Sequence, residues 1–231
     1  HELRTPLNAI IGFSELMHDG KVGPIAANHK EYLGDVLTSA QHLLQLINDV
    51  LDLAKVESGK MQFHYARMDL RTVIDEVCDV LRPLMSRTRT QVFMEIGAGL
   101  EAVWVDASKL KQVLYNYLSN ALKFSHDGGQ VQVRAKREGF DAYRIEVEDQ
   151  GVGIKPEDLS RLFTEFQQLD LSSSKKYQGT GLGLALTKRI IEAQGGYVGV
   201  ESVRDKGSIF YMVLPLRRDA ERGGALRQTG V

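Results

Sequence analysis

Apolar positions in the first quarter of the chain recur at helical steps. Leu3, Leu7, Ile10 and Met17 follow three- and four-residue spacing, with small Ser14 filling the turn between. The pattern breaks at Asp19-Gly20 and Gly23-Pro24. It resumes with Leu33, Val36, Ala40, Leu43, Ile47, Val50 and Ala54. Those steps alternate three and four, which is a heptad seam, and Leu37, Leu44 and Leu51 add a second seam beside it. The spacing predicts two helices over 1–58, the second ended by Ser58-Gly59. Pro6 lacks a backbone N–H and should kink the first. So wide an apolar stripe is more than a lone hairpin buries, so two copies are expected to dimerise into a four-helix bundle. A hairpin packed on its own globular domain is the alternative.

From Met61 the period changes. Strand-like runs occupy 91–96, 102–105, 130–136, 143–148 and 208–214, with helical runs at 70–85, 108–124 and 181–193 between them. This predicts an α+β domain, a mixed sheet covered by helices on one face. Beyond Pro215 the chain turns polar and rich in Arg and Gly, which reads as a disordered tail or linker over 217–231. The expected domains are therefore 1–60 and 61–216.

Composition narrows the function. The 231 residues are 43% hydrophobic and 26% charged, with a net charge of −1. That gives no bulk electrostatic case for nucleic acid or for membrane contact by this fragment. Cys78 is the one cysteine, which excludes an internal disulfide and a multi-thiolate metal site and fits a reducing, cytoplasmic setting. No stretch has the length of an apolar membrane span. The first residue is His rather than Met, so the sequence is expected to be an excerpt whose N-terminal part is not shown, which leaves room for a membrane anchor upstream.

Three clusters carry candidate chemistry. In the helical run at 108–124, Asn116, Asn120 and Lys123 share one face, while Leu110, Val113, Leu114, Leu118 and Leu122 occupy the other. An amide oxygen is a hard ligand suited to Mg2+, and a lysine is a point charge for a phosphate. An ordinary amphipathic helix with solvated Asn and Lys would show the same spacing. Next, Glu148-Asp149-Gln150-Gly151-Val152-Gly153 directly follows a strand. Its glycines allow close backbone approach to a flat ligand, and Asp149 can accept from an exocyclic amine such as that of adenine. A plain turn is the blander reading. Last, Gly179-Thr180-Gly181-Leu182-Gly183-Leu184 opens a helix and would present bare N–H groups to an anion. It is not a dinucleotide fingerprint, because the polar run at 172–178 precedes it instead of a strand. That run suits a flap over phosphates.

In order and spacing these clusters resemble the histidine kinases of two-component systems, of the GHKL (Bergerat) ATPase superfamily. Residues 114–124 (Leu-Tyr-Asn-Tyr-Leu-Ser-Asn-Ala-Leu-Lys-Phe) resemble the N box. Asp149-Gln150-Gly151-Val152-Gly153-Ile154 resembles the G1 box, Leu162-Phe163-Thr164-Glu165-Phe166 the F box that hinges the lid, and 179–184 the G2 box. The resemblance covers residues 1 to about 216. It implies an α/β-sandwich ATP-binding domain in which Asn120 ligates Mg2+, Asn116 and Lys123 contact phosphates, Asp149 reads adenine and Phe124 stacks near the base. Gly151, Gly153, Ile154, Phe163, Phe166, Gly179, Thr180, Gly181, Leu182 and Gly183 complete the implied ATP site.

The opening His1-Glu2-Leu3-Arg4-Thr5-Pro6-Leu7 resembles the H box of the same family, which makes His1 the implied phosphoacceptor. A neutral imidazole, with an unperturbed pKa of about 6.5, is a nucleophile at physiological pH. Glu2 can hydrogen-bond the other ring nitrogen and take a proton. Thr5, one turn on, sits where the family places a water-orienting hydroxyl for dephosphorylating its partner. The implied partners are a second copy of the chain, a response-regulator receiver domain whose aspartate accepts the phosphoryl group, and an upstream sensor module. Ile10, Ile11, Phe13 and Ser14 are candidate docking residues, some of which are expected to be core. Two other readings compete. One is an ATP-hydrolysing relative of the gyrase kind, which carries a Glu one turn before the metal Asn; here Asn116 stands there, and an amide takes no proton. The other is a non-catalytic dimeric scaffold, against which the full set of polar box residues argues.

Overall fold

The computed structural model describes residues 2–167 and 180–216, so His1, Gly179, the run at 172–178 and the tail at 217–231 lie outside the described residues. The chain divides into two compact units, 1–55 and 56–231.

The first unit holds α1 (Arg4–His18) and most of α2 (Ala27–Glu57). Pro6 falls in the first turn of α1, where the missing N–H breaks no intrahelical bond, so the expected kink has no ladder to interrupt. Gly20 (φ 70°) follows the C-terminal end of α1, where Lys21 N donates to Leu16 O at 2.9 Å. Arg4 Nε reaches Asn48 Oδ1 at 3.0 Å, a polar tie between the two helices. Leu7 and Ser14 on α1 and Ala40 and Leu53 on α2 are buried. The seam expected along α2 divides. Ala40 turns inward, whereas Val36, Leu43 and Val50 are exposed. Leu3, Ile10 and Met17 form a matching exposed row on α1. Of the candidate docking residues, Ile10 and Phe13 are exposed, but Ser14 is 7% exposed and unavailable to a partner.

The second unit is built on a five-stranded sheet of order β2-β4-β5-β7-β6, comprising β2 (Gln91–Ile96), β4 (Gln130–Glu138), β5 (Ala142–Asp149), β6 (Tyr197–Val203) and β7 (Gly207–Pro215). The β2–β4 pair is parallel and the others antiparallel. A separate two-stranded ribbon pairs β1 (Ala66–Asp69) with β3 (Ala102–Val105). Alternation along the strands sends Val131, Val133, Tyr143, Ile145, Val147, Phe210, Met212 and Leu214 to one face, all buried. Onto that face pack α3 (Leu70–Thr88), α4 (Ala107–Phe124) and, after the short α5 (Pro156–Leu159), α6 (Gly183–Ala193). The other face is charged. There Glu146, paired across the strands with Arg134, also meets Lys136 Nζ at 2.7 Å and Arg144 Nε at 2.6 Å.

Helix α4 anchors the site. Asp106 caps it, accepting from Ser108 N at 2.9 Å and Lys109 N at 3.1 Å, which satisfies donors the helix leaves bare. Its buried stripe is Leu110, Val113, Leu114, Tyr117, Leu118, Ala121 and Leu122. Each fully buried leucine contributes about 1.5–3 kcal/mol, so the orientation of the opposite, polar face is strongly fixed.

Two strands were not expected from the sequence. β6 contains Gly199, and β1 is four residues ending in the cap of α3, so neither shows a clear period of two. The helix expected over 181–193 begins at Gly183.

Candidate functional site

Fixing the apolar side of α4 in the core places Asn116, Asn120 and Lys123 together on its half-buried outer side, as the spacing required. Burial lowers the pKa of the Lys123 ammonium, and the nearby Arg87 lowers it further. Asn120 Nδ2 lies 3.5 Å from Asn116 Oδ1, and Asn116 Nδ2 donates to Thr187 Oγ1 on α6 at 3.0 Å. Sequence reasoning missed Thr187. It opens the second turn of α6, a threonine in an ordinary helical stretch, and only the packing of α6 on α4 brings it to the site.

The second cluster meets the C-terminal end of α4. Asp149 is the last residue of β5 and 5% exposed. Its Oδ1 accepts from Gly151 N at 2.8 Å. Burial pushes the Asp149 carboxyl up to about 6; the Glu148 charge adds to this, and the Gly151 and Ser208 N–H groups and His126 oppose it. The turn is tight enough to demand glycine. A Cβ at Gly151 would lie 2.1 Å from the carbonyl oxygen of Phe124, and Val152 N donates to that same oxygen at 3.3 Å. Phe124 itself is half-buried. Gly153 takes φ 60°, and Ile154 N donates to Ser202 Oγ at 2.9 Å, tying the end of the loop to β6.

The third cluster is described from Thr180 onward. Thr180 Oγ1 accepts from Leu182 N at 3.1 Å, and Leu182 is buried. Gly181 backs onto the backbone of Phe166, where a Cβ would come within 3.0 Å of its carbonyl carbon. The described part of this loop therefore meets the end of the 162–166 segment. Phe163 is half-buried; Phe166 is exposed and holds φ 58°, a conformation its side chain disfavours. Glu2 and Thr5, at the start of α1, are exposed.

The second unit thus sets a nearly buried carboxyl at the end of β5 beside the end of α4, and an amide pair and an ammonium along α4. A ligand with an amine at one end and a polyanion at the other would match that order of groups. Among the described residues no cluster of three or more His, Cys, Asp or Glu side chains could hold a metal ion. A cation here would draw on amide oxygen, ligand oxygens and water, the habit of Mg2+.

Residues 105–218 match the family described as "Histidine kinase-, DNA gyrase B-, and HSP90-like ATPase", and residues 1–59 match "His Kinase A (phospho-acceptor) domain". The two matches define a phosphoacceptor module joined to an ATPase-type α/β domain. The chain is 41% identical over 226 residues to the non-motile and phage-resistance protein of Caulobacter vibrioides, covering 96% of this chain and 27% of that protein. It is 38% identical over 217 residues to the circadian input-output histidine kinase CikA of Synechococcus elongatus, covering 93% and 29%. A crystal structure of full-length ShkA in complex with AMPPNP superposes with TM-score 0.79 at 30% identity, over 95% of this chain and 45% of that one. The chain belongs to the sensor histidine kinases of two-component systems. It spans less than a third of the length of the two curated relatives.

Proposed function

We propose that this chain is the kinase core of a two-component sensor, phosphorylating His1 from ATP and passing the phosphoryl group to an aspartate of a response-regulator receiver domain. The observation that carries the choice between transfer and hydrolysis is at Asn116. One turn before Asn120, where a hydrolase needs a carboxylate to deprotonate water, stands an amide already engaged by Thr187. The proton acceptor that remains is Glu2, next to the histidine in a stretch matched as a phosphoacceptor domain.

The donor set fits a magnesium nucleotide. Asp149 would accept from the adenine amine, with Gly151 and Gly153 letting the backbone approach the base and Phe124 beside it. Lys123 would bind phosphate oxygens, and Thr180, Gly181 and Gly183 would offer backbone N–H groups at the start of α6. Asn120 would hold Mg2+, which when bound supplies charge neutralisation on the phosphates. An imidazole nitrogen of His1 forms the new bond to phosphorus as the bond to the ADP oxygen breaks, and Glu2 hydrogen-bonds the other ring nitrogen and takes its proton. Thr5 would orient water for dephosphorylating the partner.

A homodimer is proposed because Leu3, Ile10 and Met17, with Val36, Leu43 and Val50, leave apolar rows exposed that a second copy would bury. No helix among the described residues is long and apolar enough to cross a membrane. We place this core in the cytoplasm, under a sensing module of a longer protein. The reading is tested by a single turnover with Mg-ATP, following protein-bound and free phosphate together. Stoichiometric protein-bound phosphate that disappears in His1→Gln supports it; steady release of free phosphate with none on the protein would return the chain to the hydrolases.

A further inference from the structure

The first two turns of α6 grip the side chain of Asn116 from two sides. Asn116 Nδ2 donates to Thr187 Oγ1 at 3.0 Å, and Thr187 is 2% exposed. Gly183, one turn earlier, makes room for the same amide, since a Cβ there would lie 2.6 Å from Asn116 Oδ1. That Oδ1 in turn receives the long 3.5 Å contact from Asn120 Nδ2. Among the described residues, Asn120 Oδ1 receives no hydrogen bond.

An amide carries its acceptor and its donors at opposite corners, so fixing one end fixes the other. With the Thr187 hydroxyl accepting from Asn116 Nδ2, the Asn116 carbonyl faces Asn120. That carbonyl attracts the Asn120 NH2 group and leaves the Asn120 carbonyl oxygen uncommitted. An Asn120 in the opposite orientation would present NH2, which repels a cation. We propose that Thr187 is a positioning residue for the metal, setting through Asn116 the orientation in which Asn120 offers its oxygen. Thr187 touches neither nucleotide nor ion in this role. The inference rests on the assignment of Asn120 as the Mg2+ ligand.

The test is equilibrium binding of a fluorescent ADP analogue, in EDTA and across a Mg2+ titration, by the wild type, Thr187→Val and Thr187→Ser. Valine keeps the shape and removes the hydroxyl; serine keeps the hydroxyl. Thr187→Val is expected to retain its affinity in EDTA and to need about tenfold more Mg2+ or above for half of the Mg2+-dependent gain, the scale of outer-shell ligand partners. Thr187→Ser is expected to restore the wild-type midpoint. A Thr187→Val midpoint equal to wild type overturns the proposal, as does an equal loss of affinity with and without Mg2+, or a serine variant that behaves like valine. A wild type whose nucleotide affinity ignores Mg2+ removes the Asn120 assignment itself, and the inference with it.

Discussion

Asp149→Asn should make the ligand-free protein more stable at pH 8 while impairing it as a nucleotide binder. Burial holds the Asp149 carboxyl near 6, against an ordinary value of 3.8. A rise of about two units, at about 1.4 kcal/mol per unit, corresponds to about 3 kcal/mol. The sign follows from proton counting. Between pH 4 and 6 the folded state holds the proton more tightly than the unfolded chain, so this group favours folding as pH falls. Above pH 6 both states are ionised and the full desolvation cost opposes folding. Asparagine is neutral throughout, and its oxygen can still accept from Gly151 N. The variant should therefore exceed the wild type by about 3 kcal/mol at pH 8, with the difference fading to near zero by about pH 4. Trp104, the sole tryptophan, lies on β3 in the same unit and reports denaturant unfolding by its fluorescence. A stability difference independent of pH, or a variant less stable than wild type at pH 8, would refute the reasoning. The same titration predicts that nucleotide affinity in the wild type falls below pH 6, where Asp149 becomes protonated and stops acting as a pure acceptor.

Other consequences can be checked directly. Gly151→Ala drives a methyl group against the Phe124 carbonyl 2.1 Å away, and should cost about 1–3 kcal/mol in denaturant unfolding and abolish nucleotide binding measured by calorimetry. Asn120→Asp is expected to remove Mg2+-dependent autophosphorylation while leaving the folded circular-dichroism spectrum and Trp104 fluorescence unchanged. Thr5→Ala should spare autophosphorylation and slow dephosphorylation of a phosphorylated receiver domain about tenfold or more, as loss of a positioned group in a hydrolytic step does; an unchanged rate would remove Thr5 from that role.

The polar face of α4 was legible because a helix in a core has one way to satisfy its apolar stripe. Once Leu110, Val113, Leu114, Leu118 and Leu122 are buried, Asn116, Asn120 and Lys123 must share the other side. The five strands with clear alternation were legible for the same reason. β6 was not, because its rule is broken by Gly199, whose missing side chain accommodates the Tyr211 ring from β7; a Cβ there would lie 2.3 Å from that ring. The helical unit was legible in its period but not in its facing. A heptad names a stripe; whether Val36 or Ala40 meets the neighbouring helix depends on packing. Ser14 illustrates the same limit, since a small polar residue beside Phe13 suits an exposed docking surface and a close helix contact equally well in sequence. Thr187 was hidden because its meaning lies in Asn116, 71 positions away. Pairings of that separation leave no local period.

The most direct test of the central claim is the chemical nature of the phosphate bond formed when the full-length protein is incubated with γ-labelled ATP and Mg2+. Label on the chain that survives base, is released by acid and is absent from His1→Gln is expected of a phosphohistidine at His1. Label that resists acid, persists in His1→Gln or never forms while phosphate is released into solution would contradict it.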